Sequence, residues 1–224
     1  MKRINVLNVF ANLNKYEYCV IKKPDNIQEY SYGSDFDIFC IGIERVVESI
    51  MASLGDMLNE NQTIEVSRLQ EQIYIDVIED NKINIRFDLY SSLPLYKRLC
   101  IKESFFGYVV ARYEFDDSGL IKIASKEDEL ILRYVEYHEW YSERPDKIKH
   151  VDYILKMYSE IEIEMAIKKF HYFIDFPSPI IEKRTRFDKM TGALCFYTSR
   201  IEKLFSYLKK NGIKKTADRI REKI

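Results

Sequence analysis

Residues 83–90 read Ile-Asn-Ile-Arg-Phe-Asp-Leu-Tyr, a strict alternation that fits a strand with one dry face and one polar face. Ile83, Ile85, Phe87 and Leu89 form the apolar side, and Asn84, Arg86, Asp88 and Tyr90 the other. A sheet of such strands must bury its dry face against another layer, a second sheet or a set of helices. Helices are present: residues 43, 46, 47, 50, 54, 57 and 58 are apolar at helical spacing, which predicts a helix over Ile43–Leu58. Further strands are predicted at Tyr16–Lys22, Asp35–Ile41, Thr63–Leu69 and Gln72–Ile78, and Glu79-Asp80-Asn81-Lys82 forms a hairpin connection to the alternating strand. Met1–Leu13 carries Ile4, Leu7, Phe10 and Ala11 at helix-like spacing.

After about Leu120 the pattern turns helical. Asp128–Tyr141 repeats apolar residues with His138 on the same stripe, Pro145 suits the first turn of a helix through Tyr158, and Ser159-x-x-Glu162 is a capping box ahead of Ile163–Phe173. Pro177-Ser178-Pro179 breaks the chain; a long helix is expected from about Phe187 to Asn211-Gly212, then a short basic helix to Ile224. The expected fold class is α+β, a mixed sheet flanked by helices (residues 1–122) followed by a helical region (residues 123–224), without internal repeats.

Composition narrows the function classes. The net charge of −1 gives no global argument for nucleic-acid binding, so any basic function must be local. No apolar run approaches the roughly 20 residues that span a bilayer, and the N-terminus lacks a signal-peptide pattern. Cys19, Cys40, Cys100 and Cys195 show no CxxC spacing. The expectation is a cytoplasmic protein with reduced thiols and no membrane partner.

The chemistry is concentrated in Tyr30–Gly42, YSYGSDFDIFCIG. Asp35 and Asp37 are two apart on a strand and so project from one face, while Phe36 and Ile38 point to the other. Two anions held a few ångströms apart are costly unless compensated, and a divalent cation on carboxylate oxygens is one compensation. A solvated strand entrance is the plainer alternative. An aspartate inside the alternating strand, Asp88, must be exposed, paired or metal-bound. It completes a three-carboxylate cluster if its strand lies beside that of Asp35 and Asp37; a salt bridge to a nearby lysine or arginine is the alternative. Asp76, in IYIDVIE, is its rival by the same strand logic.

GSDFDIF, the amphipathic helix after it and a later strand with a lone aspartate resemble the nucleotidyltransferase superfamily typified by polymerase beta, over about the first 90–120 residues. The resemblance implies a nucleotidyltransferase-like mixed sheet in which Asp35 and Asp37 hold Mg²⁺ (or Mn²⁺) and Asp88 joins them and helps activate the attacking hydroxyl. It implies binding of ATP or another nucleoside triphosphate and transfer of its nucleotidyl group to an acceptor hydroxyl. Gly33 and Ser34 would shape the phosphate-binding turn, with Lys22 or Lys23 as cationic partner. The sequence departs from the family pattern, because Gly-Ser abuts Asp35 instead of following the first strand. Either the turn is rebuilt there, or nucleotide binding is weakened. The form looks most like compact nucleotidyltransferase-like proteins of bacterial surface-polysaccharide clusters, which would make the acceptor a sugar. A catalytically silent module that binds nucleotide, RNA or protein, and a toxin–antitoxin component, are the competing readings.

Other candidates have plain structural explanations beside their functional ones. Arg184 and Arg186, in Glu182–Met190, could touch a triphosphate or form the charged start of a helix. The three histidines, His138, His150 and His171, have no sequence neighbour that makes a catalytic pair. Tyr134–Tyr141 fits packing between helices, and the basic C-terminal stretch fits an amphipathic end-helix.

Overall fold

The structure, a computed structural model, describes residues 3–22, 27, 29–69, 71–94, 96, 98–141 and 143–175. The elements expected beyond residue 175 lie outside the described residues.

In chain order the elements are α1 (Val6–Leu13), β1 (Tyr18–Val20), β2 (Ser34–Cys40), α2 (Ile43–Gly55), β3 (Gln62–Arg68), β4 (Gln72–Glu79), β5 (Lys82–Tyr90), β6 (Cys100–Ile101), α3 (Ser104–Ala111), β7 (Glu114–Phe115), β8 (Lys122–Ile123), α4 (Lys126–Trp140), α5 (Ile148–Met157), α6 (Glu160–Phe170) and β9 (Ile174–Asp175); a 3₁₀ turn, Pro145–Lys147, leads into α5. The fold is α+β. Seven strands form one mixed sheet in the order β3-β4-β5-β2-β1-β8-β7, and β6 pairs with β9 separately. Within the large sheet β2 runs parallel to β5 and β1 parallel to β8; the other pairings are antiparallel.

The dry face of this sheet is the one that the alternation predicts. Phe36 and Ile38 of β2, Ile85, Phe87 and Leu89 of β5, and Ile73, Ile75 and Val77 of β4 join Val9, Phe10 and Leu13 of α1 and Val46, Ile50 and Leu54 of α2 in one core. Phe36 stacks on Phe87 at 5.8 Å and meets the edge of Phe10 at 5.4 Å, the offset and T-shaped geometries that aromatic quadrupoles favour. Each such side chain, fully buried, stabilises by roughly 1.5–3 kcal/mol. On the opposite face α3 covers part of the sheet, its Phe106 ring 4.7 Å from Phe39.

The β4–β5 hairpin turns on Asp80 and Asn81, both at positive φ (54° and 59°), a pairing that the two residue types tolerate and that matches the twist of the strands. Glu79 faces Lys82 and Ile78 faces Ile83, but Val77 faces Ile85. Asn84 is therefore an extra residue, a β-bulge, and from there on the register is shifted by one. The bulge is gripped on all sides. The Asn84 side chain donates to Glu79 (2.8 Å) and accepts from the Tyr30 hydroxyl (2.6 Å), while its carbonyl accepts from the Gly33 N–H (3.0 Å).

The chain forms two compact units. The described residues through Leu132, rejoined by Lys169–Asp175, make the first, and Arg133–Lys168 belong to the second. The boundary expected after residue 122 falls inside β8, a two-residue strand in the large sheet. In the second unit Val151 and Ile154 of α5 are buried, Lys147 pairs with Glu136, and the Arg133 guanidinium lies 3.8 Å over the Tyr153 ring. The capping box forms: Ser159 Oγ accepts from the Glu162 N–H (3.3 Å) and the Glu162 carboxylate from the Ser159 N–H (2.8 Å). It starts α6 at Glu160, and α6 ends at Phe170, three residues before the expected end, because Ile174 and Asp175 pair with β6. The short elements α3, β6, β7, β8 and β9 are absent from the sequence expectations; two-residue strands offer no alternation to detect.

Candidate metal centre

Tyr30, held by Asn84, also accepts from the Ile4 N–H (2.7 Å), so the loop before β2 is anchored at two places. Gly33 then turns the chain at φ 80°, where a side chain is disfavoured, and delivers it into β2. Parallel pairing sets Asp35 beside Arg86 and Asp37 beside Asp88. Registered partners share a face, so both strands present their carboxylates to the side away from the α1–α2 core. Asp35, Asp37 and Asp88 each bring a carboxylate oxygen within 4.8 Å of the others.

Exposure falls across the triad: Asp35 is exposed, Asp37 intermediate, and Asp88 only 8% exposed. Asp88 Oδ1 is buried and makes no hydrogen bond. Burial pushes the Asp88 carboxyl up to about 7; the negative charges of Asp37 and Asp35 push the same way, and the Arg86 guanidinium pulls against them. A buried acceptor without a donor, amid like charges, fits a hard divalent cation, which takes oxygen ligands and cancels the repulsion.

The flanks of the triad differ. On the β1 side the Lys22 ammonium contacts Asp37 Oδ2 at 2.5 Å, while from the end of β5 the Tyr90 hydroxyl donates to Asp37 Oδ1 at 3.4 Å. On the β4 side Arg86 donates twice to Asp76, from Nε and Nη2, both at 2.6 Å, and its Nε is 3.8 Å from Asp88 Oδ1. The guanidinium also lies 5.1 Å from the centre of the Tyr74 ring. Hydrogen bonding to Asp76 holds the Arg86 pKa above its ordinary value. Burial, and next the charge of Asp88, raise that of the Tyr74 phenol.

Asp76 therefore lies on the same face as Asp88 but is matched by Arg86, which separates the two candidates that sequence logic left equal. Arg86, Tyr74 and Tyr90 were not singled out from the sequence as parts of the site. Their positions in the period-2 pattern of β4 and β5 mark the correct face; the register that makes them neighbours does not appear in any local pattern. Gly33 and Ser34 do form a tight turn at the mouth of β2. Their N–H groups, however, donate to Asn84 O (3.0 Å) and Ser31 O (2.9 Å), and Ser34 falls on the opposite side of the strand from Asp35. Both backbone donors are thus committed within the protein. Lys23, Arg184 and Arg186 lie outside the described residues.

No family model matches the chain, and no curated protein is similar to it. Among solved structures, the crystal structure of JHP933 from Helicobacter pylori aligns over 93% of this chain and 99% of that one, with 8% identity and a TM-score of 0.35. No helix among the described residues is long and apolar enough to cross a membrane.

Proposed function

We propose that the protein is a Mg²⁺- or Mn²⁺-dependent nucleotidyltransferase that moves a nucleoside monophosphate from a nucleoside triphosphate to an acceptor hydroxyl. The observation that carries this reading is the meeting of Asp35, Asp37 and Asp88 within 4.8 Å, across two strands paired in parallel. The sequence resemblance of GSDFDIF and its surroundings supplies the reaction class. Asp35 and Asp37, with Asp88, would hold the cation, which supplies charge neutralisation to phosphate oxygens. Asp88, whose carboxylate meets the other two, is the residue that the resemblance places to accept the proton of the attacking hydroxyl. The hydroxyl oxygen bonds to the α-phosphorus, the bond to the bridging oxygen breaks, and pyrophosphate leaves. Arg86, pinned by Asp76, keeps a fixed positive charge beside Asp88 and limits the rise of its pKa.

The test is Asp37→Ala. Metal-dependent triphosphate turnover is expected to vanish while the far-UV circular dichroism and melting transition persist; turnover that survives intact removes the assignment. One observation favours a second reading, a catalytically silent module: the Gly33 and Ser34 N–H groups, the expected phosphate donors, are engaged by Asn84 and Ser31. Calorimetry with a triphosphate identifies a silent module of the protein-interaction kind, which shows no Mg²⁺-dependent heat of binding, and a silent nucleotide binder shows that heat without turnover.

A further inference from the structure

Arg86 gives two hydrogen bonds of 2.6 Å to Asp76 and lies 3.8 Å from Asp88 Oδ1, and among the described residues the Lys22 ammonium faces the triad from the β1 side. Among the described residues, with Asp88 ionised, the four carboxylates of Asp35, Asp37, Asp76 and Asp88 against Arg86 and Lys22 leave two negative charges, the charge of one divalent ion. Both oxygens of Asp37 are already contacted, Oδ2 by Lys22 at 2.5 Å and Oδ1 by Tyr90 at 3.4 Å. An ammonium and a divalent ion on one carboxylate are like charges a few ångströms apart, and each weakens the hold of the other. A lysine side chain, flexible and compact in charge, can leave one anion for another nearby.

We infer that Lys22 is the resident counter-ion of the triad: it competes with the divalent cation for Asp37 and, once displaced, pairs with the phosphate that arrives with the metal. This rests on the proposed metal site and adds to it a cause for ordered assembly. Lys22 suppresses metal binding to the protein alone and favours metal that comes with a triphosphate.

The experiment measures Mn²⁺ affinity by electron paramagnetic resonance without nucleotide, and affinity for α,β-methylene-ATP at saturating Mn²⁺, in the wild-type chain and in Lys22→Met. The expected result is a split of opposite sign: roughly tenfold tighter Mn²⁺ binding and roughly tenfold weaker analogue binding in the variant. Mn²⁺ affinity unchanged or weakened by Lys22→Met overturns the competition but leaves the metal site standing. Unchanged analogue affinity overturns the transfer to phosphate. Failure of both chains to bind Mn²⁺ overturns the metal site and this inference together. An independent check uses the wild-type protein, in which acetylation of Lys22 by acetic anhydride, read by mass spectrometry, should accelerate when Mg²⁺ is added. A rate that does not change with Mg²⁺ counts against displacement.

Discussion

Asp88 on β5 and Asp128 at the start of α4 are both buried, and burial raises both carboxyls, to about 7 and about 6. Their surroundings differ in net charge. Asp128 lies 3.5 Å from the Arg112 guanidinium and its N–H donates to Ser125 Oγ; Ser125 and the charges of Arg112 and Lys169 pull its pKa back, while that of Glu127 pushes it up. Asp88 has two further aspartates for neighbours, and they add to the effect of burial. One region is a balanced cluster, in which Arg112 and Lys169 match Asp128 and Glu127, the ordinary arrangement for joining elements. The other is an anion placed among anions, which a protein holds at a cost to stability and which a cation relieves. The comparison teaches that burial alone does not mark a site; the sign of the neighbours does.

The largest expected effect separates the two residues directly. Asp88→Asn should lower Mn²⁺ affinity and triphosphate turnover by on the order of 100-fold or more, whereas Asp128→Asn should leave both near wild type. Parallel Mn²⁺ titrations and turnover assays check this, and equal losses in the two variants would erase the distinction. A smaller effect is expected from Arg112→Met, which strands Asp128. It should cost about 1–3 kcal/mol in urea unfolding at neutral pH and less at pH 5, where Asp128 takes up a proton. Mn²⁺ affinity should not move.

A further test lies in the pH dependence of stability without metal. Both carboxyls titrate higher in the folded protein than in the unfolded chain, where aspartate sits at about 3.9. The unfolded state thus releases these protons first, and the two groups make stability fall as pH rises, from about 4 to 6 for Asp128 and from about 4 to 7 for Asp88. Saturating Mg²⁺ should remove the part due to Asp88 and leave that of Asp128. Melting temperatures across this pH range, with and without Mg²⁺, are the measurement; identical slopes would mean that the cation does not engage Asp88.

Much of the first unit was legible from sequence because its long elements carry long patterns. The strand expected over 83–90 is Lys82–Tyr90, and the helix expected over 43–58 is Ile43–Gly55, ending where Asp56 closes the last turn. The hairpin at Asp80-Asn81 was readable from residue types that accept positive φ. What escaped are the two-residue strands, such as β8, whose place beside β1 depends on the single registered pair Val20–Ile123, and α3, whose run Ser104–Ala111 is too uniformly apolar to show a helical stripe. The triad was readable as three residues on strand faces, though not as neighbours, and Arg86 was readable only as one polar position among four.

The sequence by itself determined which side of each strand is wet and which is dry, because the alternation of side chains is built into the extended backbone and needs no partner. Only the tertiary structure decided what faces what. Continued from its turn without interruption, the β4–β5 hairpin would pair Asp76 with Ile85 and Tyr74 with Phe87, polar against apolar. The bulge at Asn84 shifts the register by one, so that Asp76 meets Arg86 and Tyr74 meets Asp88. Parallel pairing then adds Asp35 and Asp37, some fifty positions earlier in the chain, beside them. Register is a choice among long-range pairings settled by the whole buried face at once, and no window of local sequence contains it.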